Sequence, residues 1–113
     1  MKLLAALCLL VVATEAPTLD QQSGGYAPSG GFVPIAAVAE KIAEAVLVPV
    51  YGEKQIASER PFHATLKDDV WTVAGTLTCP DGKGGTTTMC VGGTAVVRLS
   101  KRDGRILSMN HYK

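Results

Sequence analysis

The 113-residue chain carries few of the groups that chemistry needs. It has two histidines, His63 and His111, three cysteines, and aromatics at 5%. There is no Gly-x-Ser-x-Gly elbow, no His-Glu-x-x-His pair and no dinucleotide fingerprint, which weighs against hydrolase, zinc-protease and nucleotide-dependent chemistry. Gly82-Lys83-Gly84-Gly85 is only superficially a phosphate cradle, because it lacks the P-loop spacing and leads into a strand instead of a helix. Cys79 and Cys90 have no second cysteine pair or nearby histidine to complete a tetrahedral metal site. The formal charge of +1 gives no footprint for nucleic acid. The apolar run Leu3 to Ala13, at eleven residues, is too short to span a bilayer. No catalytic set, metal or cofactor is therefore expected.

What is present is pattern. In Val70 to Thr78 the apolar residues Trp71, Val73 and Leu77 fall on alternate positions with threonines between them, the signature of a strand with one buried face. Thr94 to Ser100 repeats it, with Ala95, Val97 and Leu99 inward and Arg98 outward. Lys101-Arg102-Asp103-Gly104 supplies turn chemistry, since Asp-Gly tolerates the positive φ of a tight hairpin. Arg105 to Asn110 then closes the sheet. Between the first two strands, the stretch Cys79 to Cys90 is too polar and glycine-rich to bury. Its end cysteines are placed for a disulfide, and closing a ring of about 12 residues would add roughly 3 kcal/mol in the chain-entropy model.

Upstream, Pro34 opens a helix in which Ile35, Val38, Ile42 and Val46 share one face, while Glu40, Lys41 and Glu44 face solvent. Pro49 is expected to end it. Glu53 to Arg60 is charged with Ile56 as its single anchor. Phe62 to Leu66 alternates as a first strand, with Phe62, Ala64 and Leu66 inward, and Asp68-Asp69 turns it back. The expected fold is α+β: one amphipathic helix on a curved, four-stranded antiparallel meander.

The N-terminus reads as an address. Lys2 precedes the apolar run, and Val11 and Ala13 occupy the small-residue positions of a signal-peptide cut after Ala13. Lipidation at Cys8 is disfavoured because Leu7 is not small. Residues 1–13 are expected as signal peptide, 14–31 as a flexible Gly/Ser/Pro/Gln linker, and 32–113 as one domain. The mature protein would be periplasmic or secreted, without stable membrane insertion, and Cys79 and Cys90 would enter an oxidising compartment.

Functional candidates are consequently surface groups. Asp81 and Lys83 in the cysteine loop, Arg98 and Arg105 on the basic C-terminal stretch, and His111 and Tyr112 at the terminus are the candidate contacts for a protein partner. Trp71 is better placed as core. His63 and His111 would meet only if the sheet closed on itself.

The segments Val48-Pro49-Val50-Tyr51-Gly52, Arg60 to Leu66, Val70 to Leu77, Gly92 to Val97, Leu99 to Leu107 and His111-Tyr112-Lys113 resemble a family of small bacterial proteins with a fold like nuclear transport factor two, the immunity proteins of polymorphic toxin systems. The resemblance covers roughly Phe32 to Lys113. It implies a non-enzymatic protein that protects its producer by binding and blocking a toxin. The helix together with Ala95 to Leu107 is also similar, over a shorter span, to periplasmic PepSY-type domains linked to peptidase inhibition. Other proteins of the cone-shaped fold bind small ligands or act as enzymes in the concave face of the sheet, and that alternative requires an open apolar pocket with a few convergent polar groups there.

Overall fold

The computed structural model describes residues 10–14 and 25–113. The expected signal peptide and linker lie largely outside the described residues. Helix α1 spans Ala36–Tyr51 and α2 spans Glu53–Ser58. Six strands follow: β1 His63–Lys67, β2 Val70–Ala74, β3 Cys79–Pro80, β4 Thr86–Thr87, β5 Ala95–Ser100 and β6 Ile106–His111. The main sheet has the order β1-β2-β5-β6, every pair antiparallel, and β3-β4 form a separate hairpin. This is the expected α+β arrangement, with α1 packed on one face of an open sheet.

The strand alternation is realised where a strand is central. Trp71, Val73, Ala95, Val97 and Leu99 are all buried, joined by Leu47 and Ile56 from the helices and by Phe62. The tight β1-β2 turn puts both Asp68 (φ 50°) and Asp69 (φ 58°) in the left-handed region, which short aspartates tolerate better than most residues.

Several local expectations are corrected. Helix α1 runs through Pro49 and ends at Gly52, whose φ is 89°. Pro49 lies in the last turn, and Ala45, whose carbonyl it deprives of the helical bond, is an exposed residue. The buried line of α1 is Ala39, Ala43 and Leu47, with Val38, Ile42 and Val46 half-buried beside it. Small alanines bring the helix backbone close to the sheet, so the larger side chains flank the contact. Ile35 stands outside the helix as an extended N-cap and is exposed, while Val33 enters the core in its place. Leu66 is exposed because β1 is an edge strand that a single helix does not cover. The strand expected to reach Thr78 stops at Ala74, leaving Leu77 half-buried.

The segment before α1 is pinned to the β5-β6 turn. Phe32 and Val33 donate their N–H groups to the carbonyls of Arg102 and Lys101, each at 3.0 Å, and the Lys101 ammonium meets the Gly30 carbonyl. Trp71 Nε1 donates to the Val33 carbonyl at 2.7 Å, satisfying the one polar atom of the largest core side chain.

Candidate functional site

The sheet and its connections sort the candidate residues by position. The chain leaves β2, makes the cysteine hairpin and returns into β5, so Asp81 and Lys83 project from the sheet end that also holds His111 and Tyr112. Arg105 belongs to the β5-β6 turn at the opposite end. Arg98 stands mid-sheet on the uncovered face, opposite Thr72 on one side and Ser108 on the other. The six residues therefore form no single cluster: four lie near the hairpin end, one in the middle and one at the far turn.

Cys79 and Cys90 are disulfide-bonded, with Cα atoms 6.1 Å apart, as their position in the sequence implied. The Asp81 carboxylate accepts the N–H groups of Lys83 (2.7 Å) and Gly85 (3.1 Å), and the Asp81 N–H donates to the Gly85 carbonyl. Asp81 thus orders the loop tip from within. Pro80 to Thr86 are all exposed, and Met89 and Val91 are more than nine-tenths exposed. The loop is a polar, shaped protrusion with two bare apolar side chains at its return.

His111 is half-buried on the covered face. Its Nε2 lies 3.2 Å from Oε2 of Glu59, and its ring lies against Tyr51 with centroids 5.3 Å apart. Glu59 is only 4% exposed. Its Oε1 accepts the Ala95 N–H at 2.6 Å and its Oε2 also accepts from Gln55 Nε2 at 3.1 Å. One carboxylate therefore ties α2 to β5 and to the end of β6. His63 sits on β1, the opposite edge of the open sheet, so the two histidines do not meet. Tyr112 remains exposed while its N–H donates to the Thr94 carbonyl.

Glu59 escaped the sequence reading because a lone glutamate in a charged stretch looks solvated. Its only signal was its place three residues after the buried Ile56, one helical turn along the same face. Glu40 and Glu44 were expected on a solvated face, and both have partners. Glu40 Oε1 accepts the N–H of Ala64 at 3.1 Å. Glu44 pairs with Arg60 Nε at 3.1 Å, while Glu53 takes Arg60 Nη1 at 2.9 Å. The bonds from Glu53 first and Glu44 second hold the guanidinium above its ordinary pKa. Both α1 carboxylates thus tie the helix to neighbouring elements.

The covered face of the sheet is filled by Phe62, Trp71, Leu47 and their neighbours among the described residues, the space that the small-ligand alternative would need. A cleft of about 580 Å³ lies instead between Ala27 to Phe32 and the turns at Asp69 and Lys101 to Asp103. A shallow groove of about 400 Å³ runs along the solvent side of α1 at Ala45, Val48 and Pro49. No group of three or more metal-ligating side chains occurs among the described residues.

Residues 38–113, from the first turns of α1 to the terminus, match the model of a family described as "NTF2 fold immunity protein". The chain belongs to this immunity protein family. It is also 30% identical over 77 residues to the "Uncharacterized protein YhhH" of Escherichia coli (strain K12), an alignment covering 68% of this chain and 54% of that protein. The chain spans about half the length of that curated relative. No solved structure matches it. The immunity family agrees with the resemblance drawn from the residues, and the matched span contains nearly all of α1, the whole sheet, the disulfide loop and the C-terminal strand.

Proposed function

We propose that this protein is an exported, non-enzymatic immunity inhibitor that binds a toxin protein and neutralises it by occlusion. Membership of the immunity family over residues 38–113 is the observation that carries the reading. The Cys79–Cys90 bond is compatible with an oxidising compartment. No helix among the described residues is long and apolar enough to cross a membrane. Both fit a protein acting outside the cytoplasm, after removal of residues 1–13, on a toxin active there.

The contact surface in this reading combines the cysteine hairpin, through Asp81 and Lys83, with the terminus at His111 and Tyr112 and the basic groups Arg98 and Arg105. Exposure supports Lys83, Arg98, Arg105 and Tyr112 as direct contacts. Asp81 and His111 would act by shaping the hairpin and the end of β6. Occlusion needs no reactive group, which agrees with a fold whose buried side-chain nitrogens and oxygens all have partners among the described residues.

Genetics tests this directly. Deleting the gene from its producing strain should cause self-intoxication, and suppressors that restore growth should map to a single toxin gene. A chain lacking the export segment should fail to protect. Healthy growth of the deletion strain under conditions where a toxin is made, or full protection by the cytoplasmic form, would overturn the proposal.

A further inference from the structure

An open four-stranded sheet has two free edges, and this chain treats them differently. On β1 the ladder with β2 turns the backbone groups of Ala64 and Leu66 outward. The outward N–H of Ala64 is taken by Glu40, which reaches down from α1. Any strand approaching that edge would meet a carboxylate already bonded to it, so β1 is partly sealed.

The edge formed by β6 has no such cover. The Tyr112 N–H bonds the Thr94 carbonyl, and the Ser100 N–H bonds the Arg105 carbonyl. With the β5-β6 register and its irregularity at Arg98/Leu99, these two bonds fix the phase of the ladder. Ile106, Met109 and His111 are the residues whose N–H and C=O groups point away from β5. Beyond the ladder itself, no backbone bond involves these groups among the described residues, and the register leaves them on the outer side of β6. Six residues of strand offer about 20 Å of template.

Charge selects what pairs there. From Arg98 to Lys113 the chain carries five basic residues (Arg98, Lys101, Arg102, Arg105 and Lys113) against the single acid Asp103. A second copy laid antiparallel on this edge would oppose like charges, whereas an acidic segment would be drawn to it. Arg98 stands on the uncovered face with Ser108 as its β6 neighbour. A serine is short enough for the guanidinium to extend over it towards a strand two spacings away, roughly 9.6 Å.

We propose that the outer edge of β6 binds an extended acidic segment of a protein partner as an added fifth strand. Backbone bonds at Ile106, Met109 and His111 would hold it, and Arg98 and Arg105 would read its acidic side chains. This rests on the reading above that the partner is a protein, and it specifies how that partner is held.

The probe is a synthetic seven-residue peptide alternating glutamate and valine, titrated into the isotope-labelled full chain and followed by amide NMR. Two controls are its lysine-for-glutamate counterpart and a version N-methylated along one edge. The acidic peptide should shift and protect the amides of Ile106, Met109 and His111. Affinity should fall at least about tenfold with the lysine peptide, and comparably in high salt. The N-methylated peptide should lose binding. Ile106→Pro should weaken binding several-fold, since it removes an outward donor without breaking a ladder bond. Arg98→Glu, at an exposed position that leaves the fold intact, should reverse the preference between the glutamate and lysine peptides.

Shifts centred on β1 or the cysteine hairpin, equal binding of the lysine or N-methylated peptides, or no response at millimolar peptide would overturn the proposal. So would a solution dimer whose β6 amides are already protected. A chain that binds the peptide through β6 yet fails to rescue the deletion strain would refute immunity alone. A chain that rescues with a silent β6 edge would refute this inference alone.

Discussion

The helix–sheet unit and the Cys79–Cys90 hairpin are held together by different means. In the first, Leu47, Val73, Val97 and Leu99 are fully buried, and the carboxylate of Glu59 stitches α2 to β5 and β6. In the second, hardly any side chain is buried, and order comes from one covalent bond and one aspartate turn. Apolar burial cannot stabilise a polar loop, so the protruding part of the molecule is secured by sulfur. In the proposed role, a contact surface built this way stays polar without being slack, which reduces the ordering cost on binding.

Leu47→Ala should cost about 2 to 5 kcal/mol in urea unfolding, equally with and without reductant, because the cavity lies far from the hairpin. Replacing both Cys79 and Cys90 by serine should cost at most roughly 3 kcal/mol. Its sharper signature should be rapid proteolysis within residues 80–89 while the β2 and β5 amides keep their exchange protection.

Glu59→Ala should cost about 1 to 3 kcal/mol, because the buried N–H of Ala95 would lose its acceptor. Glu59→Gln retains a carbonyl oxygen there and should recover most of that loss.

The smallest effect concerns the β5-β6 turn. The Arg105 N–H foremost, and the Ser100 hydroxyl next, hold the Asp103 carboxyl below its ordinary pKa. A depressed folded pKa means that its stabilisation is present above the unfolded value of about 3.9 and fades as pH falls through the folded one. Asp103→Asn should therefore lower the melting temperature slightly at neutral pH and converge on the parent protein in acid. A difference that grew in acid would contradict the assigned bond.

Much of the fold was legible because it repeats at fixed periods. Alternation marked Trp71, Val73, Ala95, Val97 and Leu99 correctly, and Asp68-Asp69 and Asp103-Gly104 announced their turns. The disulfide followed from two cysteines flanking one loop. The family could be read from the residues of the same helix–sheet unit. The helix face was harder to place, since alanine gives a weak hydrophobic signal yet permits the closest approach to the sheet. Ala39 and Ala43 ended up central while Ile35 lay outside. Leu66 misled because alternation reports which face a side chain takes and says nothing of whether a helix covers it.

Glu40, Glu44 and Glu59 were invisible for a related reason. A carboxylate reveals its role only through partners distant in sequence, here Ala64, Arg60, Ala95 and His111. The candidate contact residues were chosen from expected exposure. Lys83, Arg98, Arg105 and Tyr112 are exposed as expected, but the criterion cannot recognise that His111 is tethered to Glu59 or that Asp81 is spent within its own turn.

Occlusion without chemistry has a quantitative signature. Purified toxin, recovered through the suppressor mapping, would be titrated with the oxidised mature protein while toxin activity is followed. Activity should fall linearly to zero at one equivalent, with both proteins recovered intact from the complex. Inactivation by a small fraction of an equivalent, or none at a large excess, would contradict occlusion.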